Sequence, residues 1–118
     1  MLPGEMVPAE ATGTAVGSID VPNKIVPAET REIIAFSLDA RGYTVKENTE
    51  QRLIGYLNIH GHEATFTFLL KGNRIDVYCE GYAVNKKGER KKPETPDGWI
   101  KNIKSDITRR LAAKAASK

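Results

Sequence analysis

Two histidines separated by one residue are the side chains in this sequence that most resemble metal ligands. His60 and His62 lie in the segment NIHGHEATFTF, and the chain contains no further histidine. On a continuous strand both would point the same way, but a stable zinc site needs three or four ligands. Glu63 is the one adjacent residue able to add a ligand. We therefore expect Gly61 to form a hairpin turn flanked by solvent-facing imidazoles, and we predict no metal site.

The sequence shows no recognisable arrangement of catalytic groups. A nucleophile needs a base within hydrogen-bond reach, and we find no Gly-x-Ser-x-Gly elbow, phosphate-binding loop or Cys–His pair of known spacing. Asp76 and Glu80 would share the exposed face of one strand, which is typical of a solvated surface. We therefore predict that the protein is not an enzyme and needs no cofactor.

A basic cluster follows the last predicted strand, in a segment rich in turn-forming residues. Two tyrosines precede the cluster, and the candidate binding residues are Tyr78, Tyr82, Lys86, Lys87, Arg90, Lys91 and Lys92. Such a cluster can bind the phosphates of nucleic acid or the anionic head groups of a membrane through Coulomb attraction and counterion release. A merely solvated loop has the same composition and is the more frequent case.

Composition limits the class of protein. The 118 residues fit one domain, and no stretch approaches the length of an apolar membrane span. The net charge of +3 and the pI near 9.0 permit a nucleic-acid partner without requiring one. Cys79 is the single cysteine, so no internal disulfide can form, and its place in an apolar alternation predicts a buried thiol.

The hydrophobic pattern predicts two helices with four strands between them. Pro27 is suited to open the first helix, and Gly42 is suited to end it. Alternating apolar and polar residues predict strands at 43–47, 52–60, 63–70 and 74–80, joined by short turns. A long surface loop at 82–98 follows, and an apolar stripe then predicts a second helix whose Trp99 packs over the sheet edge.

These elements predict an α+β fold. Its order is helix, four-stranded antiparallel meander, helix, with both helices on one face of the sheet. Tyr56 and Tyr78 are expected on the opposite, helix-free face. The predicted core residues are Ile34, Leu38, Phe66, Phe68, Val77, Ile103 and Ile107.

The chain divides into three segments. Residues 1–24 are rich in Pro, Gly, Ala and Thr without regular periodicity, and we predict a flexible leader. Residues 25–112 form the predicted domain. Residues 113–118 follow the last apolar helix position, Leu111, and are expected to fray.

Several short motifs occur in an order that resembles a group of small uncharacterised bacterial envelope lipoproteins. The motifs are Arg41-Gly42-Tyr43, His62-Glu63-Ala64 and a helix with Trp99, Ile103, Ile107 and Leu111, within residues 33–111. Tyr43 stands where tryptophan is usual in that group, and Pro96-Asp97-Gly98 replaces its usual Tyr-Asn pair. The resemblance implies export and a lipid anchor upstream of Met1, but it implies no activity.

Two functional hypotheses follow. The first is a non-catalytic, envelope-associated domain, periplasmic or on the outer surface, that is tethered by its leader and binds an unknown protein or an anionic envelope surface. The alternative is a cytoplasmic nucleic-acid-binding module that uses the basic loop at 86–92 and the last helix. The oligomeric state stays open in both.

Overall fold

A single antiparallel sheet and two helices make up the part of the chain that the structure describes. The structure is a computed structural model, and it describes residues 11–118. In chain order the elements are β1 (Thr14–Asp20), α1 (Pro27–Ala40), β2 (Thr44–Asn48), β3 (Arg52–Ile59), β4 (His62–Lys71), β5 (Arg74–Val84), β6 (Arg90–Glu94) and α2 (Asp97–Ala116).

The sheet has six strands within the described residues. Its order is β1-β5-β4-β3-β2, and β6 also pairs with β5. The first strand, β1, pairs with the residues of β5 up to Cys79, whereas β6 pairs with β5 from Gly81 onward. Both strands therefore lie end to end along one edge of β5, and β4 pairs with its other edge.

The predicted α+β class with an antiparallel sheet is confirmed, whereas the four-stranded meander is wrong. The four expected strands are present as β2 to β5, but the pattern missed β1 and β6. A register shift between Ala15 and Ser18 interrupts the alternation in β1, and Ile19 is its one buried residue. The strand β6 (RKKPE) has no apolar face and joins the sheet through its backbone. Hydrophobic periodicity cannot identify strands of this kind.

Both helices pack on the same face of the sheet and enclose one core. All seven predicted core residues are fully buried, as the sequence predicted. The ring of Phe66 contacts that of Tyr43 edge-on at 5.6 Å between centroids. Cys79 is buried in the same core, and burial raises the pKa of its thiol to about 12. The thiol is thus protonated and shielded at neutral pH.

The described part of the predicted leader and the predicted tail both differ from expectation. Residues 14–20 form β1, and Ile19, Val21 and Ile25 join the core. Residues 1–10 of the predicted leader lie outside the described residues. The helix α2 continues through Ala116; Ala115 packs against the core, and Lys118 beyond the helix pairs with Glu29 of α1 at 2.6 Å. The segment at 113–118, which the apolar pattern predicted to fray, is therefore held by contacts with the rest of the protein.

A buried carboxylate joins the two helices. Asp106 of α2 is 4% exposed, and Arg41 after α1 donates to it through Nε at 2.6 Å and through Nη2 at 3.2 Å. Arg109 donates a further hydrogen bond at 3.1 Å. The hydrogen bond from Arg41 lowers the pKa of Asp106 by more than burial raises it, and Arg109 lowers it further.

Replacing Asp106 with asparagine should therefore destabilise the protein in a pH-dependent way. We expect a loss of about 1–2 kcal/mol in the free energy of unfolding at pH 7, because charge-assisted hydrogen bonds are lost while the partly exposed Arg41 stays solvated. A folded-state pKa below the unfolded value of about 3.9 gives stability that is present above that value and is lost as the pH falls through the folded pKa. Denaturant unfolding from pH 7 to pH 2 should show that the free energies of unfolding of the wild type and the variant converge. A difference that stays constant with pH would contradict this account.

Candidate functional site at the hairpin end

Two chain reversals lie at the same end of the sheet. One is the turn between β3 and β4 at His60 and Gly61, and the other is the loop at 85–89 between β5 and β6. Pairing across the strands places Ile59, His62, Ala83 and Lys92 in one row on the helix side of the sheet. With strands about 4.8 Å apart, this row spans about 14 Å. We call the surface formed by the row, the two reversals, Lys91 and Trp99 the hairpin end.

The turn lies at His60 and Gly61, one residue before the gap at 61–62 between the predicted strands, so His62 belongs to β4. His60 has φ of 54° and Gly61 has φ of 80°, so both residues are left-handed, as a two-residue type I′ hairpin requires. Asparagine, aspartate and histidine tolerate this conformation better than most residues, and glycine carries no penalty. The turn leaves Ile59, the last residue of β3, at the end of the sheet.

The loop at 85–89 is held by the side chain of Asn85. Its Oδ1 accepts hydrogen bonds from the backbone amides of Lys87 at 2.9 Å and Glu89 at 3.0 Å. Its Nδ2 donates to the carboxylate of Glu89 at 3.0 Å, and the backbone amide of Asn85 donates to the carbonyl of Glu89. The long surface loop predicted at 82–98 is therefore wrong: residues 85–89 form a closed loop between β5 and β6, and α2 begins at Asp97.

Four of the seven predicted binding residues are free cations at this hairpin. Lys86, Lys87, Lys91 and Lys92 are exposed. Within residues 11–118, the ion pairs closer than 4.0 Å involve other side chains, namely those of Arg41, Arg52, His62, Arg74, Arg90, Arg109, Arg110, Lys114 and Lys118. In the described part of the protein, these four lysines therefore form no ion pair within 4.0 Å.

Arg90 has a different role from the neighbouring lysines. It forms an ion pair with Glu63 and lies 3.9 Å from Glu80, while its guanidinium stacks over the ring of Tyr82 at 4.1 Å. The hydroxyl of Tyr82 donates to Glu80 at 2.6 Å. These contacts lie on the helix-free face and fasten β6 to its neighbouring strands. The charge of Arg90 is already compensated by Glu63.

Glu63 is the buried centre of this polar network. It is 7% exposed and accepts a hydrogen bond from Tyr56 at 2.6 Å. That hydrogen bond, together with the contact with Arg90, holds the pKa of Glu63 below its usual range despite burial. From the sequence, Glu63 was expected to be a neighbour of the histidines and a polar residue at the start of a strand, not a buried group. An acidic residue two positions past a hairpin turn gives no sequence signal of its cross-strand partners.

The three tyrosines of the helix-free face differ in their surroundings. The hydroxyl of Tyr56 donates a hydrogen bond to Glu63, and that of Tyr82 donates one to Glu80. Tyr78 is paired in register with Ala15 and Thr67 and is partly exposed. Of the predicted tyrosines, Tyr82 thus belongs to the structural network, and Tyr78 lies farther along β5 from the lysines.

His62 contacts a carboxylate and an indole ring. Its Nδ1 lies 2.5 Å from Oε2 of Glu94, and its ring meets Trp99 edge-on at 6.3 Å between centroids. These residues line a shallow cleft of about 360 Å³ with Thr95, Pro96 and Gly98. In the described residues, no group of three or more His, Cys, Asp or Glu side chains is placed to hold a metal ion. The pair with Glu94 orients the imidazole, and no pattern in the sequence indicated this contact.

Comparison of the chain with protein-family models, curated proteins and solved structures gives no match. No helix in the described range is long and apolar enough to cross a membrane. A function for the protein must therefore be proposed from the charges and contacts of its own surface.

Proposed function

We propose that the protein is a non-catalytic, envelope-associated binding module that attaches to an anionic surface through the lysines of the hairpin end. The observation that carries the proposal is the concentration of unpaired positive charge there. Residues 86–92 contain five basic side chains and one acidic side chain, a net charge of +4, whereas the whole chain carries +3. Residues 97–118 also carry a net charge of +4. Four of their cations form ion pairs, namely Arg109, Arg110, Lys114 and Lys118, as Arg90 does with Glu63. The unpaired positive charge is therefore concentrated in the lysines of the hairpin end.

The geometry of the loop suits this role. Hydrogen bonds of Asn85 close the loop, and Arg90 fastens the following strand to the sheet. A loop that is already ordered loses little conformational entropy when it binds, so more of the Coulomb attraction appears as affinity. Basic residues near an anionic bilayer contribute roughly 1 kcal/mol each.

The nucleic-acid alternative has less support from the same contacts. Single-strand binding commonly combines free basic groups with aromatic rings on which bases stack. Near the lysines, one face of the Tyr82 ring is covered by Arg90. On the last helix, Lys104 donates to the backbone carbonyl of Val16 at 2.9 Å, and Arg109 pairs with Asp106. We therefore favour an anionic surface over a nucleic acid.

Sedimentation with lipid vesicles tests the proposal. The protein should bind phosphatidylglycerol vesicles at low ionic strength and should not bind phosphatidylcholine vesicles. Raising the salt concentration from about 0.05 M to 0.5 M should release it, because the Debye length falls well below 10 Å. Equal binding to both kinds of vesicle, or tighter binding to single-stranded RNA that displaces the vesicles, would contradict the proposal.

The envelope location is proposed on the resemblance to envelope lipoproteins. Fractionation of cells that express the intact native gene tests it directly. Recovery with the membrane or periplasmic fraction is expected, and recovery only with the cytoplasmic fraction would contradict it.

A further inference from the structure

An exposed aliphatic side chain lies at the same end of the sheet as the lysines. Ile59 is 42% exposed at the end of β3, although its strand neighbour Leu57 is buried in the core. Ile59 shares its row and its side of the sheet with Lys92, at the edge of the hairpin end. A single exposed apolar residue is ordinary on a protein surface. What distinguishes Ile59 is that it shares one end of the sheet with four unpaired lysines, at the opposite end of the row from Lys92.

The indole of Trp99 adds an amphipathic group to this surface. Trp99 is half-buried, packs against the core on one side and lines the cleft beside His62. Tryptophan prefers the boundary between lipid head groups and acyl chains, where its ring is partly apolar and its N–H can be hydrogen-bonded. Trp99 and Ile59 flank His62, one through ring contact and the other through strand pairing.

We propose that the hairpin end docks on an anionic lipid bilayer, with Ile59 entering the interfacial layer, Trp99 at its boundary and the lysines on the lipid phosphates. This inference rests on the proposed function and assigns its partner. Lysine side chains suit the arrangement because their aliphatic stems can lie along apolar surface while the ammonium groups reach the phosphates. A nucleic-acid backbone offers phosphates but no apolar layer for Ile59, so the combination favours lipid.

The topology brings these groups to the same end of the molecule. Ile59 precedes the turn between β3 and β4, and the lysines belong to the hairpin of β5 and β6 that reaches the same end of the sheet. The backbone amide of Val84 donates to the carbonyl of Gly61 at 2.8 Å, which joins the two reversals. One approach to a flat surface can therefore engage both the apolar and the basic residues.

The single tryptophan of the chain supplies a built-in probe. On binding phosphatidylglycerol vesicles, the fluorescence of Trp99 should shift to shorter wavelength, and lipids brominated near the head of the acyl chain should quench it. Ile59→Ser should weaken vesicle binding about tenfold, because an aliphatic side chain no longer leaves water. Val45→Ser is the matched control, since Val45 is 36% exposed on β2 and lies away from the hairpin end.

The outcomes separate this inference from the proposed function. If binding is salt-sensitive but is unchanged by Ile59→Ser, and Trp99 is not quenched, the docking mode is wrong. The proposed binding to an anionic surface would then still hold. Absence of binding to anionic vesicles would overturn both. Equal weakening by Ile59→Ser and Val45→Ser would also overturn the docking mode, because it would show a general loss of stability. Weakening by Ile59→Ser alone, with quenching of Trp99, supports it.

Discussion

Replacing Lys86 and Lys87 with alanine is expected to weaken binding to phosphatidylglycerol vesicles about thirtyfold. Each lysine near an anionic bilayer contributes roughly 1 kcal/mol, and 1.4 kcal/mol corresponds to a factor of ten in affinity. Both side chains are exposed and, within the described residues, form no ion pair, so their loss removes attraction to the surface without breaking an internal contact. Adding Lys91→Ala and Lys92→Ala should extend the loss to about a thousandfold. Vesicle sedimentation at low salt measures both effects.

A matched control separates the position of these charges from the net charge. Lys24 and Lys71 are also exposed, and they lie near the opposite end of the sheet, beside the turn that joins β4 and β5. Replacing both with alanine lowers the net charge by the same amount. We expect at most a threefold change in binding for this pair, because an oriented molecule holds these residues more than a Debye length from the surface. Equal losses from the two double variants would mean that only net charge matters.

The second large effect is expected at Gly13, immediately before β1. Gly13 has φ of 83°, and a Cβ atom there would overlap the backbone carbonyl of Cys79 on β5. Alanine must therefore displace the start of β1 and break its first register pair, Thr14 with Cys79. We expect Gly13→Ala to lower the free energy of unfolding by about 3 kcal/mol, which combines backbone strain with the loss of this contact.

Gly42 provides the control for that prediction. It also has φ of 83°, but a Cβ atom there would meet no atom within 4 Å. Gly42→Ala should therefore cost only the strain of a left-handed alanine, about 1 kcal/mol. Urea unfolding of the two variants gives the comparison. Equal losses would show that the close approach of Gly13 to β5 does not contribute to stability.

Residues with a regular apolar period were predicted well. Phe66 and Phe68 alternate with threonines on β4, and Ile103 and Ile107 repeat at helical spacing on α2, so burial of one face determines their positions. Gly61 was correctly placed in a hairpin turn because glycine adopts a left-handed conformation without strain. These features depend on a few neighbours in sequence, and local patterns are sufficient to find them.

Features that depend on distant partners were missed. The strand β6 carries charged residues and a proline, and it forms because the long strand β5 offers a free edge. Arg90 could not be distinguished from Lys91 and Lys92 by sequence, since Glu63, its ion-pair partner, lies 27 residues earlier. The predicted basic cluster therefore included the lysines of the hairpin end. The sequence did not distinguish these free lysines from Arg90, whose charge is paired. The exposure of Ile59 was missed because the residue ends a strand whose other alternate positions are buried.

The most direct test of the account is to map the contact surface in solution. Amide chemical shifts of the isotopically labelled protein can be followed while phosphatidylglycerol bicelles are added at low salt. We predict that shifts and line broadening concentrate at residues 59–62 and 84–92 and at Trp99, and that they disappear in about 0.5 M salt. Changes confined to Tyr78 and the helix-free face, or spread evenly over both ends of the sheet, would contradict binding through the hairpin end.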